Sequence, residues 1–261
     1  MNIVFIGDSY CSSSLDNRAY NESAGQQRNE DPRLPSWVDL ASRQLKLDPY
    51  SFGAAGRSWY FSRYRWLYHA DGDPDFMNQT AVIVFCHTEP NRYNTGNGNV
   101  SVSMLNTDYK SDDSVNRKKT QAVRLWATEL IDHPFQSWAQ KQWFYEIARI
   151  LAPYPHIKQI HFNNFPFTVE TSSILTGCVY TTPLIHLSLA ELIGTTAEIN
   201  SQAFQNDPRV NHFNSHNNRA MADLLVDSVN NYKTGRPAID TTGFDIKNSN
   251  AFNWPNEYGS K

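Results

Sequence analysis

The chain has 261 residues, enough for one α/β domain with a well-buried core, so no second domain is required. Its net charge of -3 and pI of about 6.2 give no general electrostatic basis for binding nucleic acid or an anionic membrane. It shows no secretory signal and no apolar stretch approaching the roughly 18 residues of a membrane span. Three widely spaced cysteines, Cys11, Cys86 and Cys178, predict reduced thiols, so we expect a soluble cytoplasmic protein.

Apolar runs and turn residues predict that strands and helices alternate in the first half of the chain. Residues 3–6 and 81–86 are short apolar runs typical of buried parallel strands. Residues 50–52 predict another short strand, which ends at a glycine-rich segment. Residues 35–45 carry apolar side chains at helical spacing, with a proline near the first turn. Residues 93–119 are polar and lack periodicity, which predicts a long loop or insertion.

The second half of the chain is richer in helical patterns. Residues 121–132 and 134–151 predict two helices, and residues 157–162 predict a fourth strand. Residues 184–193 predict a further helix. Residues 217–232 predict the last helix, with its apolar side chains on one face.

Strands that alternate with helices predict an α/β domain with a mostly parallel sheet over residues 1–233, followed by an irregular tail over 234–261. In such sheets the functional site lies at the carboxyl ends of the strands. That rule brings together three segments that are far apart in sequence: residues 8–9, 53–56 and 87–91.

Two short segments near opposite ends of the chain contain the residues of a nucleophile and its base. Ser9 ends a Gly-Asp-Ser turn after the first strand, where backbone N–H groups are available to an oxyanion. His212 immediately precedes the last helix, with Asn214 or Ser215 as its cap, and a histidine is suited to act as a general base near neutral pH. Alone, each segment is more typical of ordinary turn or cap chemistry; their order and separation are the stronger signal.

Together these segments resemble the SGNH (GDSL-like) hydrolase family. The family's first block is the Gly-Asp-Ser turn found at residues 7–9, and its last block is similar to residues 212–223. Its second block is a glycine after strand two that joins the oxyanion hole, and Gly56 matches it. The resemblance runs in order from residue 2 to about 230 and implies a three-layer α/β/α sandwich with a mostly parallel, flavodoxin-like sheet. The Asn-rich, loop-heavy character is similar to that of phage-encoded members.

The chain departs from the family pattern at two places. The third block normally reads Gly-x-Asn-Asp, and its absence leaves Asn91 or Thr88 to complete the oxyanion hole. The family usually has an aspartate three residues before the histidine, where this chain has Arg209. Asp207 is close, but a proline stiffens the link, so a backbone carbonyl is the alternative partner of the histidine. Loss of the orienting carboxylate lowers turnover by up to about 10⁴-fold in serine proteases.

The resemblance implies an esterase that works by acyl transfer without a cofactor or a metal ion. His212 takes the proton of Ser9, Ser9 attacks the ester carbonyl, and the amides of Ser9 and Gly56 hold the oxyanion. Arg57 and Arg92 follow predicted strand ends and are candidates for substrate contacts.

The preferred substrate is an O-acetyl ester on a carbohydrate. This prediction depends on the family analogy and on aromatic side chains in polar surroundings, such as residues 57–61. Aromatic residues in a core are the commoner explanation of that composition.

Several alternatives remain at this stage. A catalytically silent SGNH-like module that binds glycans fits the altered third block. An unrelated flavodoxin-like nucleotide-binding protein ranks last, because Asp8 would repel a phosphate and no GxxxxGK motif is present. Cys11 is an alternative nucleophile, although a thiol packed under the turn is favoured. His87, Glu89 and His212 are possible metal ligands, but they include no close pair such as HExxH.

Overall fold

The computed structural model describes residues 1–13, 35–53, 58–88, 90, 92–95, 98–101, 121–122, 125, 129, 132–165, 174–187, 213 and 215–245. Within these residues the strands are β1 Asn2–Ile6, β2 Asp48–Ser51, β3 Thr80–His87, β4 Arg92–Thr95, β5 Gly98–Ser101, β6 Lys158–Asn163 and β7 Cys178–Tyr180. The α-helices are α1 Trp37–Leu45, α2 Trp59–Gly72, α3 Phe76–Gln79, α4 His133–Leu151 and α5 Ser215–Asn230. Two short 3-10 helices span Ser9–Cys11 and Leu184–Leu187.

The centre of the fold is a five-stranded sheet in the order β2-β1-β3-β6-β7, in which every neighbouring pair is parallel. Counted without the β4–β5 hairpin, this is the 2-1-3-4-5 order of flavodoxin-like sheets. The α/β prediction with a parallel sheet is therefore confirmed. In this order the chain reverses direction across the sheet between β1 and β3, which is where such folds bind ligands.

Helices cover both faces of the sheet, because strand side chains alternate between two apolar clusters. Phe5, Val84 and Phe162 pack against α1 and α5. Val4 and Phe85 point to the opposite face and pack against α2, α3 and α4. Burying one such large side chain contributes roughly 1.5–3 kcal/mol, so the two clusters hold the layers in register.

The helix α1 begins where its sequence predicts. The Ser36 hydroxyl accepts from the Asp39 N–H, and the Asp39 carboxylate accepts in return from the Ser36 N–H. This capping box satisfies N–H groups that a helix start otherwise leaves without a partner. The helix ends at Lys46, which adopts the left-handed conformation with φ of 56°.

The segment predicted as a long loop or insertion over residues 93–119 begins with regular structure, because β4 and β5 form an antiparallel hairpin. The Gly-Asn dipeptide at residues 96–97 is itself a hairpin signal that composition alone obscured. The predicted helix at 184–193 begins as a 3-10 helix, and its residues after 187 lie outside the described part of the chain. Of the helix predicted at 121–132, residues 121, 122 and 125 are helical, and Asp132 caps α4.

The described part of the tail, residues 234–245, packs against the edge of the sheet. The Gly235 carbonyl accepts from the Val179 N–H at 2.9 Å, and the Pro237 carbonyl accepts from the Thr181 N–H at 3.2 Å. The Ile239 side chain is buried in the cluster under α1 and α5. Residues 246–261 of the tail lie outside the described residues. No helix in the described part of the chain is both long and apolar enough to cross a membrane.

Candidate active site

The turn after β1 is organised by a fully buried aspartate. The Asp8 Oδ1 atom accepts from the Tyr10 N–H at 3.1 Å and from the Asn164 Nδ2 amide at 2.5 Å. The Asp8 carbonyl also accepts from the Cys11 N–H at 3.2 Å, which closes the 3-10 helix over Ser9–Cys11. The Ser9 backbone is thereby held in a tight turn at the carboxyl edge of the sheet, while its side chain lies outside the described part of the structure.

Close backbone approach holds this turn between its neighbours. A Cβ atom added to Gly7 would lie 2.5 Å from the Cys86 carbonyl oxygen on β3. A Cβ atom on Gly53, just after β2, would lie 2.6 Å from the Asp8 carbonyl oxygen. The Ser62 hydroxyl of α2 donates to the Gly7 carbonyl. Glycine is therefore required at both positions, because a side chain would push the strand ends apart.

Asn164, the residue directly after β6, links three strand ends. Its side-chain amide donates to Asp8 and, at 3.4 Å, to the Cys86 carbonyl. Its backbone N–H donates to the His87 carbonyl at 2.8 Å, and its carbonyl accepts from the Ile185 N–H at 2.9 Å. The Asn164 Oδ1 atom is buried without a hydrogen-bond partner among the described residues. Asn164 is not among the site residues predicted from the sequence, because the strand predicted at residues 157–162 ends one residue before the observed strand.

Thr88 lies at the carboxyl end of β3, where the sequence analysis expected an oxyanion donor. Its carbonyl accepts from the Gln140 Nε2 of α4 at 2.7 Å. Its hydroxyl is buried and has no hydrogen-bond partner among the described residues. Among the described residues, the hydroxyl therefore has no bond that would compete with donation to a ligand at the edge where the site was predicted.

A pair of buried histidines lies on the α4 side of the same edge. The His87 Nε2 and His161 Nδ1 atoms are 3.0 Å apart, and the planes of the two rings are nearly parallel to each other and to the Phe85 ring. Burial lowers the pKa of His87 to about 3, and burial together with the His87 charge lowers the pKa of His161. Both imidazoles are therefore neutral at pH 7.

The histidine pair is not part of a larger group of metal-binding side chains among the described residues. The His87 Nε2 atom is hydrogen-bonded to the other ring, and no group of three metal-binding side chains occurs in the part of the chain that the structure describes. Glu89 and His212, the other ligands considered from the sequence, lie outside that part.

The Cys11 thiol is packed under the turn, as the sequence analysis favoured. It is fully buried, and its Sγ donates to the Asp8 carbonyl at 3.3 Å. Burial and the neighbouring Cys86 raise the pKa of the Cys11 thiol well above its ordinary value. A thiol that resists ionisation is a poor nucleophile, which argues against Cys11 as the reactive group. All three cysteines are free and buried.

The segments that contain Ser9 and His212 meet at this edge. Phe213 is buried, and its ring lies 5.5 Å from the ring of Tyr10 in an edge-to-face contact. The residue after the proposed base therefore touches the residue after the proposed nucleophile. The Asn218 side chain fixes this segment by donating to the Phe213 carbonyl at 3.2 Å and by accepting from the Trp37 N–H at 2.9 Å.

The other predicted site residues are only partly placed. Arg92 begins β4, but its side chain lies outside the described part of the structure. The remaining candidates lie wholly outside it: Gly56, Arg57, Asn91, Asp207 and His212. The structure thus brings together the turn around Asp8, Gly53, Thr88 and Asn164.

The chain matches no family model, no curated protein and no solved structure.

Proposed function

We propose that this protein is a serine esterase of the SGNH type that hydrolyses a carboxylic ester through Ser9 and His212. The observation that carries the proposal is the contact between Tyr10 and Phe213, since each directly follows one of the two reactive residues. The contact brings two segments that are separated by most of the chain together at the carboxyl edge of the sheet.

The fold supports the same assignment. Ser9 follows β1, and β1 and β3 flank the point where the strand order reverses, the usual ligand site of an open parallel sheet. The Asp8 carboxylate anchors the turn through the Tyr10 N–H and the Asn164 amide, so that the nucleophile sits on a rigid support.

In the proposed reaction the Ser9 oxygen attacks the ester carbonyl while His212 accepts its proton. The acyl-enzyme forms as the alcohol leaves with a proton from His212, and water then releases the acid by the reverse steps. The amides of Ser9 and Gly56 donate to the oxyanion. The uncommitted hydroxyl of Thr88 favours it as the further donor, with Asn91 as the alternative.

The proposed substrate is an O-acetyl group on a carbohydrate, with Arg57 and Arg92 as contacts and Asp207 or a backbone carbonyl orienting His212. A catalytically silent glycan-binding module is the second candidate, favoured by the altered third block and by Arg209 in place of the usual aspartate. A cytoplasmic or phage-associated location belongs to the same proposal.

Labelling with a fluorophosphonate probe tests the proposal. We expect the wild type to be labelled, and Ser9→Ala and His212→Ala each to lose labelling together with hydrolysis of p-nitrophenyl acetate. Ser12→Ala is the matched control, because Ser12 is a buried serine just after the same turn. A folded wild type that is not labelled would contradict the esterase and favour the binding module.

A further inference from the structure

The outer face of α4 presents three large aromatic side chains to solvent. Phe135, Trp138 and Tyr145 are 51%, 56% and 51% exposed. Their spacing of three and seven residues places them on one side of the helix. Exposed apolar surface grouped in this way marks an interaction site more often than single exposed residues do.

A groove between α2 and α4 continues this aromatic face. The Arg63 guanidinium of α2 lies 2.6 Å from the Glu146 carboxylate of α4 and stacks 5.4 Å from the centre of the Trp143 ring. The groove has a volume of about 390 Å³ and is open to solvent. Its lining combines ring faces with planar polar groups: Arg63, Gln142, Trp143, Tyr145, Glu146 and Arg149.

The helix positions this surface beside the candidate active site. The bond from the Gln140 side chain to the Thr88 carbonyl sets the middle of α4 level with the carboxyl end of β3. Phe135 and Trp138 precede Gln140, so they lie beyond the sheet edge on the side of the site. From residue 135 to residue 149 the helix rises about 21 Å, so the surface extends from the site down the flank of the molecule.

We propose that the groove between α2 and α4, with Tyr145 in its lining and Trp138 on the adjoining exposed face of α4, binds the glycan chain that carries the ester. This inference depends on the proposed function and names a polymer, rather than a single sugar, as its substrate. Aromatic faces pack against the apolar faces of sugar rings. The neighbouring amide, carboxylate and guanidinium groups donate to and accept from sugar hydroxyls.

The charges of the groove favour a glycan over a nucleic acid. Arg63 is paired with Glu146, and Glu146 also lies 3.9 Å from the Arg149 guanidinium. Two arginines share one glutamate, so the lining has a net charge of only +1, fewer than the several cations by which proteins bind phosphate backbones.

The test uses the full chain with Ser9→Ala, which can bind a substrate without cleaving it. Immobilised acetylated xylan, acetylated glucomannan and acetylated homogalacturonan serve as probes. We expect binding to at least one of them, and we expect Trp138→Ala and Tyr145→Ala each to weaken it about tenfold or more. Tyr68→Ala is the matched control, since Tyr68 is 71% exposed on α2 and outside the groove lining.

Three outcomes would overturn the inference. The first is no binding to any of the three polymers, and the second is binding that Trp138→Ala and Tyr145→Ala both retain. The third is a dimer in sedimentation that Trp138→Ala dissociates, which would assign the surface to a second copy of the chain. Probe labelling of Ser9 is a separate readout. Glycan binding without labelling would contradict the esterase function alone. Labelling without glycan binding would contradict only the proposal that the groove binds a glycan.

Discussion

Two groups of buried polar side chains lie at the carboxyl edge of the sheet, and they differ in how many hydrogen-bond partners they have. The Asp8 carboxylate is supplied with N–H donors by the backbone of Tyr10 and by the Asn164 amide. His87 and His161 share one hydrogen bond between them, and the Nε2 of His161 has no partner among the described residues. The Asp8 Oδ1 atom accepts two hydrogen bonds, whereas the imidazoles remain uncharged.

The difference shows that the hydrogen-bond donors around a buried titratable group, rather than how deeply the group is buried, decide its effect on the fold. A buried acceptor with well-placed N–H donors holds the surrounding backbone in one geometry. A buried base without compensation gives up its charge, and the fold then becomes sensitive to acid. We therefore expect Asp8 to organise the site, and the histidine pair to set the lower pH limit of the fold.

The largest effect is expected from removing the donor to Asp8. Asn164→Leu keeps a similar volume but removes the amide, which leaves a buried carboxylate oxygen short of a hydrogen bond. We expect the free energy of unfolding to fall by about 3 kcal/mol. Urea denaturation measures this change.

Asn163→Leu is the matched control, because the donors to Asp8 are Tyr10 and Asn164, and the Oδ1 of the neighbouring Asn163 has no partner among the described residues. We expect it to change the stability by less than about 1 kcal/mol. Equal losses in the two variants would show that Asn164 does not support the Asp8 turn.

The next effect is acid sensitivity. The pKa of His87 is about 3 in the folded chain, against an ordinary value of 6.5 that applies when the chain unfolds. Between pH 6.5 and pH 3, His87 therefore binds a proton in the unfolded chain but not in the folded chain. The free energy of unfolding is highest above pH 6.5 and falls as the pH drops towards 3. His87 alone should cost about 2 kcal/mol of stability between pH 7 and pH 5.

Urea denaturation at a series of pH values measures this slope. His87→Gln should make the slope between pH 6.5 and pH 4 shallower, and the same substitution at the exposed His156 controls for the change in composition. An unchanged slope in His87→Gln would place the acid-sensitive group elsewhere.

The smallest effect is expected at Cys11. Cys11→Ala removes a packed thiol and its hydrogen bond to the Asp8 carbonyl, and we expect a loss of about 1 kcal/mol with full fluorophosphonate labelling. Cys178→Ala, a similarly buried thiol on β7, provides the comparison in denaturation experiments. Loss of labelling in folded Cys11→Ala would contradict this prediction and favour Cys11 as the nucleophile.

The sequence by itself determined the elements whose signals are local. Short apolar runs identified β1, β3 and β6, because buried parallel strands need continuous apolar side chains. Helical spacing identified α1 and α5. The sequence pattern did not predict α2, because its aromatic and arginine residues are spread around the helix. It did not predict β7 either, because those three residues become a strand through pairing with β6.

For the site, the sequence determined which polar residues follow the strands, since the end of an apolar run marks Asp8, Thr88 and their neighbours. Only the tertiary structure decided that Asn164 donates to Asp8, 156 residues away, and that His87 meets His161, 74 residues away. Contacts over such separations leave no periodic pattern in the chain, because the crossovers of a parallel sheet create them only when the strands pair.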